Sequence, residues 1–145
     1  MLLSIEGDEA TGKTTLAYSA PLPIVGFAYD MGIERAIKGG KYEELFAGLD
    51  IEIVPYTPIE DYATISDEPP WRGHDITIFE LPSPIQLDSM RLVGNTRLWL
   101  HSINLMAAAF SDPAISTIVV DTMTVARRCK ASSHLEVLQN AAYLP

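Results

Sequence analysis

A glycine-rich pattern ending in a lysine and a threonine occupies residues 7–14. Two glycines, Gly7 and Gly12, allow the tight backbone turn that points N–H groups at an anion. A lysine at the place of Lys13 reaches the β- and γ-phosphates of a nucleotide, and the hydroxyl of Thr14 ligates magnesium. The expected cofactors are therefore ATP and Mg²⁺. The expected nucleotide contacts are Gly7, Asp8, Glu9, Ala10, Thr11, Gly12, Lys13, Thr14 and Thr15.

A second magnesium ligand is expected downstream, because proteins with such a loop hold the ion with an aspartate that follows a buried strand. The apolar run 118–120 ends at Asp121 in this form. A strand that ends in an aspartate is common by itself, so the prediction depends on the motif at residues 7–14. We expect Asp121 and Thr14 to share the ion.

Hydrolysis of ATP needs a further carboxylate that polarises the attacking water, and two acids are candidates. Asp30 follows the apolar run 24–29, and the carboxyl ends of parallel strands meet at the edge where ligands bind. Glu34 lies one helical turn later, and its alternative role is an ion pair with Lys38. The predicted catalytic residues are thus Lys13, Asp30 and Glu34.

The densest basic cluster, Arg127, Arg128 and Lys130, follows the predicted Asp121 strand. It forms either a solvated helix face or a contact with single-stranded DNA. A third alternative is that it reaches the phosphates of a neighbouring subunit in a homo-oligomer. The sequence leaves all three open.

Composition indicates one folded domain covering residues 1–145. The chain has 48% hydrophobic and 20% charged residues, values that are typical of globular proteins. One cysteine and no apolar run of about 20 residues indicate a cytoplasmic protein with no membrane partner. The net charge of −9 argues against a DNA-coating role. The histidines and the cysteine have no metal-ligand spacing, so zinc is not expected: His74, His101, His134 and Cys129.

The order of apolar runs and helix signals predicts an α/β fold with a mostly parallel central sheet between two helical layers. The predicted strands are residues 1–6, 24–29, 51–54, 76–79 and 115–120. The predicted helices are residues 13–19, 32–38, 42–49, 95–110 and 124–142, the last one in one or two pieces.

Residues 55–84 contain six prolines and are interpreted as an excursion from the core. A hairpin, a lid and a partly ordered loop are all compatible with this composition. Within it, Trp71 beside Arg72 and His74 could stack on a base, although such a tryptophan more often anchors a loop.

The helix over residues 95–110 is expected to begin with Asn95 as its N-cap. Apolar residues recur along it at spacings of four, three and four, which predicts one buried stripe. The members of this stripe are Trp99, Ile103, Met106 and Phe110.

Three segments, residues 7–17, 29–36 and 116–124, give the chain a resemblance to phage-type RecA-like P-loop ATPases of the single-strand annealing and recombination group. The resemblance implies a RecA-like core and ATP hydrolysis. It also implies action with single-stranded DNA and a single-strand-binding protein. By position, the resemblance implies that Lys13 contacts the phosphates and that Thr14 ligates magnesium. It also implies that Asp121 is the aspartate at the end of the later strand that supports the ion.

Two features depart from that group. Its members place a glutamate just past the second strand, where this chain has Asp30 followed by residues 31–32. Their sheet also inserts a later strand between the loop strand and the strand of Asp121, whereas the 24 residues after Asp121 have a helical pattern. Either the chain is a C-terminally truncated piece of a longer protein, or its sheet is not completed in the RecA manner; we favour truncation.

Two other functions remain open on the sequence. Residues 4–8 followed by residues 12–15 also resemble the opening of thymidylate kinases, which suggests a nucleoside monophosphate kinase. In that family an arginine follows the later aspartate, whereas here Thr122 follows Asp121. The third alternative is a nucleotide-binding subunit without turnover.

Overall fold

The computed structural model describes residues 1–8, 11–30, 32–38, 40–58, 69–86 and 91–142. Its strands are β1 (Ile24–Ala28), β2 (Ile51–Pro55), β3 (Ile76–Glu80) and β4 (Thr117–Asp121). Its helices are α1 (Lys13–Ala17), α2 (Ile33–Ile37), a short 3-10 helix (Glu43–Phe46), α3 (Asn95–Ser111) and α4 (Met123–Ala142). Within this part of the chain, no helix is long and apolar enough to span a bilayer.

The four strands form one parallel sheet in the order β2-β3-β1-β4. β1 lies inside the sheet, with Gly26 opposite Ile78 of β3 and Val119 of β4. All five residues of β1 are buried, as expected for a parallel strand covered on both faces. The predicted α/β class with a parallel sheet is confirmed.

Side chains that alternate along β1 enter two separate cores. Ile24 and Ala28 pack with Ile33 and Ile37 of α2 and with Phe46 of the 3-10 helix. The other face of the sheet packs against α3 and α4, and its buried members include Val25, Phe27, Leu98, Leu105, Ala126 and Cys129. Helices therefore cover both faces of the sheet.

The predicted strand at residues 1–6 is wrong. Met1, Leu2 and Leu3 are at least 70% exposed, and this segment belongs to none of the four strands. A strand needs a neighbour with unpaired backbone groups, and the resemblance places one between this segment and the Asp121 strand. The residues that follow Asp121 form α4 instead of that strand, and among the described residues β4, at this edge of the sheet, pairs with β1 alone.

The interpretation of residues 55–84 as an excursion is wrong for the part that contains β3. β3 lies between β2 and β1, and four of its five residues are buried. Trp71 is 3% exposed, and its indole N–H donates to the Asp112 carboxylate at 2.9 Å, which lowers the pKa of Asp112. Trp71 therefore anchors this segment in the core and cannot stack on a base. Residues 59–68 lie outside the described part.

The fully buried positions of α3 are shifted by one residue from the predicted stripe, although Trp99 and Met106 of that stripe are partly buried against the core. Ile103 and Phe110 are exposed, the latter by 72%. The buried positions are Leu98, Ser102, Leu105 and Ala109. Ser102 is small and accepts a hydrogen bond from the hydroxyl of Tyr29 at 2.9 Å, so it lets the helix approach the sheet. The spacing of apolar residues does not reveal this buried face of α3, because one of its members is a serine.

The amino end of α3 is capped by a side chain from α4 rather than by Asn95. Gly94, in the left-handed conformation at φ 87°, is the N-cap, and Asn95 is the first helical residue. The buried carboxylate of Glu136 accepts hydrogen bonds from the backbone N–H of Gly94 at 3.0 Å and of Thr96 at 2.8 Å. A negative charge at this end of a helix is favourable, so Glu136 fastens the two long helices together.

Replacement of Glu136 should show the strength of this cap. Glu136→Ala leaves two backbone donors without their acceptor, and we expect a loss of about 2 kcal/mol in the free energy of unfolding. Glu136→Gln keeps one acceptor oxygen and should lose about half as much. Urea denaturation measures both changes. Glu52→Ala, at an exposed position of β2, is the matched control, and an equal effect of the two alanine variants would exclude the capping role.

Candidate functional site

The two predicted magnesium ligands lie in direct contact. Thr14, in the first turn of α1, donates a hydrogen bond from Oγ1 to Oδ2 of Asp121 at 2.6 Å. Asp121 is the last residue of β4, and the two positions are 107 residues apart in the chain. The fold therefore brings the hydroxyl of the glycine-rich motif to the carboxyl edge of the sheet.

Lys13 folds its side chain back over the preceding loop. Its ammonium group donates hydrogen bonds to the carbonyl oxygen of Gly7 at 2.7 Å and to that of Asp8. The hydroxyl of Thr11 donates to the same Asp8 carbonyl at 2.8 Å. In the described part of the loop, the carbonyl oxygens of Gly7 and Asp8 therefore contact the ammonium group of Lys13. Glu9 and Ala10, two predicted contacts, lie outside the described residues.

Gly12 is required by the backbone at the start of α1. Its φ of +81° lies in the left-handed region, which side chains disfavour. A Cβ at this position would also lie 3.4 Å from Cε2 of Tyr42. The second glycine of the motif therefore permits both the turn and the close approach of an aromatic ring.

The helix that carries Lys13 and Thr14 is shorter than predicted. α1 ends at Ala17, and the next residue, Tyr18, is fully buried against Gly26 of β1. Burial and the nearby charge of Asp121 raise the pKa of Tyr18, so its hydroxyl stays protonated. Tyr18 anchors the end of α1 on the central strand, and Thr14 of the same helix contacts Asp121 of β4.

A cleft of about 460 Å³ opens beside this helix. One wall is the motif itself, and the opposite wall comes from α2 and from the segment before the 3-10 helix. Two lysines, Lys13 and Lys41, line it, so it offers positive charge within an acidic chain. Its lining residues are Thr11, Gly12, Lys13, Thr14, Thr15, Gly32, Ala36, Gly40, Lys41 and Tyr42.

The two candidate acids lie next to the cleft rather than in its wall. Asp30 is exposed, and its Oδ1 accepts a hydrogen bond from the backbone N–H of Gly32, a lining residue, at 3.2 Å. Glu34 is exposed on α2, and no ion pair joins it to Lys38 among the residues with a described position. Of residues 30–36, Gly32 and Ala36 line the cleft.

The remaining candidate residues lie apart from the cleft. Arg127, Arg128 and Lys130 are exposed on α4. His74 faces Asp50, with its Nδ1 3.0 Å from Oδ2 of the carboxylate. Cys129 is buried, which raises the pKa of its thiol to about 11. The basic cluster is therefore available to solvent, and the thiol is protonated at neutral pH.

The donor set around Asp121 is compatible with magnesium held mainly by phosphates. Across the described ranges, no group of three or more His, Cys, Asp or Glu side chains converges on one point. Magnesium bound with a nucleotide does not require such a group, because one or two protein oxygens, phosphates and waters complete its shell. Thr14 and Asp121 supply two such oxygens at one place.

Sequence reasoning missed Lys41 and Tyr42, which form the far wall of the cleft. It assigned residues 42–49 to a helix and considered no binding role for them. The available signal was a lysine and a tyrosine directly after two glycines, since that pairing joins a cation and an exposed ring at a turn.

Comparisons of the whole chain with models of protein families, with curated proteins and with solved structures give no match, so the fold and the geometry of this cleft are the basis for any function.

Proposed function

We propose that the chain is a RecA-like P-loop ATPase that binds ATP with magnesium in this cleft and acts in phage or mobile-element DNA recombination. The observation that carries the proposal is the 2.6 Å hydrogen bond between Thr14 and Asp121. These are the two magnesium ligands expected from separate motifs. Their contact across 107 residues is not a consequence of either motif alone.

Lys13 would bind the phosphates by exchanging partners. In the structure its ammonium group is held by the carbonyl oxygens of Gly7 and Asp8. A phosphate group is anionic, so its contact with the ammonium group adds an attraction between opposite charges that a neutral carbonyl oxygen does not provide. The carbonyl oxygens of Gly7 and Asp8 therefore hold the ammonium group more weakly than a polyphosphate would, and a bound polyphosphate would replace them.

The magnesium ion, when bound, would neutralise part of the phosphate charge and orient the terminal phosphate. Thr14 and Asp121 would hold it from the protein side. Asp30 and Glu34 are the candidates for orienting the attacking water, and Asp30 is connected to the cleft wall through Gly32. Asp30→Asn should therefore reduce hydrolysis more than binding, and Glu34→Gln is the parallel test.

Single-stranded DNA and a single-strand-binding protein are the proposed partners. The exposed cluster of Arg127, Arg128 and Lys130 supports a DNA contact, because residues 81–145 carry five basic and four acidic residues. Residues 1–80 carry 15 acidic and five basic residues, so DNA should approach from the side of α4.

Phosphate release from ATP, measured with and without single-stranded DNA, tests the proposal. DNA-stimulated release supports the recombination ATPase. A parallel series with each nucleoside monophosphate tests the kinase alternative, which predicts ADP formation only when the monophosphate is present. Nucleotide binding with no turnover in either series would identify a binding subunit and overturn the ATPase proposal.

Asp121→Asn separates the role of the charge from that of the hydrogen bond. The amide oxygen can still accept from Thr14, but the anion that would attract magnesium is lost. Magnesium should increase the affinity for ATP by a certain factor in the wild type, and we expect this factor to be about tenfold smaller in Asp121→Asn, as for other groups that support a metal site. Titration calorimetry with and without magnesium measures this gain. Glu52→Gln is the control carboxylate, and an unchanged gain in Asp121→Asn would remove Asp121 from the site.

A further inference from the structure

The wall of the cleft opposite the glycine-rich motif carries an aromatic ring and a cation with no role in the reaction proposed above. Tyr42 is 42% exposed and lines the cleft together with Lys41. The ammonium group of Lys41 lies over the Tyr42 ring, 5.4 Å from its centroid. A planar ring with an open surface beside a phosphate-binding motif is suited to a nucleobase.

The Tyr42 ring is held close to the phosphate-binding end of the cleft. Its Cε2 atom lies 3.4 Å from the point that a Cβ on Gly12 would occupy, and Gly12 directly precedes Lys13. A ligand whose phosphates contact Lys13 would therefore place its next group near the ring. Polyphosphate, sugar and base follow in this order in a nucleoside triphosphate.

The backbone around Tyr42 is fixed before any ligand binds. The carbonyl oxygen of Gly40 accepts from the N–H of Glu43 at 3.1 Å, and that of Tyr42 accepts from Leu45 at 3.0 Å. The 3-10 helix that follows ends with Phe46, which is 5% exposed in the core beside α2. A ring on a backbone of this kind needs little ordering when a base stacks on it.

We propose that Tyr42 is the base-stacking surface of the cleft and that Lys41 leaves the ring to bind the phosphate chain when a base arrives. This inference rests on the nucleotide-binding function proposed above. An exposed cation over an aromatic ring contributes roughly 2- to 5-fold in affinity, whereas a stacked base contributes roughly 5- to 150-fold. The base should therefore displace the ammonium group, which then faces the same phosphates as Lys13.

The described walls near the ring predict which bases bind. Among the lining residues, Gly32, Ala36 and Gly40 come from the same region of the chain as Tyr42, and none of the three has a side chain with a hydrogen-bonding group. Stacking depends on the area of the base, whereas discrimination between adenine and guanine requires hydrogen bonds to their edges. The cleft should accept ATP and GTP with similar affinity and bind CTP and UTP more weakly.

The test compares ATP with tripolyphosphate, which has the phosphates but no base. Calorimetric titration in the presence of magnesium is applied to the wild type and to Tyr42→Ala, Tyr42→Phe and Lys41→Ala. We expect Tyr42→Ala to weaken ATP binding about tenfold and to leave tripolyphosphate binding unchanged. Tyr42→Phe should retain both affinities, and Lys41→Ala should weaken ATP binding more than tripolyphosphate binding, because only ATP carries the base that displaces the ammonium group from the ring. Phe110→Ala and Arg97→Ala, an exposed aromatic residue and an exposed cation of α3 that lie outside the cleft lining, are the controls.

The outcomes separate this inference from the function on which it rests. If the wild type binds neither ATP nor tripolyphosphate, the nucleotide-binding proposal fails. If the wild type binds both and Tyr42→Ala leaves the ATP affinity unchanged, only the stacking role fails. An equal loss of ATP and tripolyphosphate binding in Tyr42→Ala would also overturn it, because a disturbed loop, rather than a lost base contact, gives that result.

Discussion

Lys13→Ala is expected to lower the affinity for ATP by about 100-fold. The ammonium group would donate at least two charge-assisted hydrogen bonds to phosphate oxygens, and each contributes roughly 1.5–3 kcal/mol. A loss of about 3 kcal/mol corresponds to a factor of more than 100 in the dissociation constant. Calorimetric titration with ATP and magnesium measures the change directly.

The same lysine also closes the loop of the free protein through Gly7 and Asp8, so a second variant is needed. Lys13→Arg keeps the charge and can still donate to both carbonyl oxygens, but its planar group differs in shape from an ammonium. It should lose less affinity than Lys13→Ala. Arg97→Ala, at an exposed position of α3 outside the cleft lining, is the control cation and should bind ATP as the wild type does. An unchanged affinity in Lys13→Ala would refute nucleotide binding at this motif.

The parallel sheet could be predicted from the sequence because its strands are short, mostly apolar segments separated by helix signals. The runs at 24–28, 51–55, 76–80 and 117–121 all became strands, with ends that differ by one or two residues from those predicted. Residues 1–6 show the limit of this signal, since they are equally apolar but exposed. An apolar run becomes a strand only where another strand offers it backbone partners, and such neighbours are not encoded locally.

The helices show a similar limit for packing. The spacing of the buried residues along α3 was predicted correctly. Each fully buried residue, however, lies one position before the predicted one. Ser102 lies on the buried face because it bonds to Tyr29, and the cap of α3 comes from Glu136 on α4. Both contacts join residues far apart in the chain, so neither is visible in a local pattern.

Residues of the candidate site could be predicted where a local sequence motif contains them. They could not be predicted where distant segments come together only in the folded chain. Lys13 and Thr14 follow from the pattern, and the strand that ends at Asp121 gave the third residue. The opposite wall with Lys41 and Tyr42 depends on how α2 and the 3-10 helix pack, which the sequence does not show. Asp30 lies beside the cleft rather than in its wall, so its role in catalysis stays a prediction.

Gly26→Ala is expected to destabilise the fold by about 3 kcal/mol or more. A Cβ on Gly26 would lie 2.1 Å from the Tyr18 hydroxyl oxygen and 2.7 Å from a ring carbon. Gly26 belongs to the interior strand β1, and Tyr18 is 1% exposed, so neither can move aside without disturbing the core. Overpacking in such a place costs about 1–3 kcal/mol and sometimes more. The free energy of unfolding, from urea denaturation, measures the effect.

Gly32→Ala is the matched control for this substitution. Its Cβ would meet only a carboxylate oxygen of Asp30 at 3.5 Å, an ordinary contact, and its φ of −96° suits any residue. The change removes glycine's extra freedom in the unfolded chain, so it should stabilise slightly or have no effect. A similar loss in both variants would show that the destabilisation does not come from the Tyr18 ring.

Second-site changes at Tyr18 should recover part of the lost stability in a defined order. The hydroxyl oxygen makes the closest contact, but the ring carbons Cε1 and Cζ would still lie at 2.7 and 2.8 Å. Tyr18→Phe in the Gly26→Ala background should therefore recover little, whereas Tyr18→Leu removes the ring and should recover more. A double-mutant cycle measures this coupling as the departure from additivity. Additive effects of the two substitutions on the free energy of unfolding would disprove the contact.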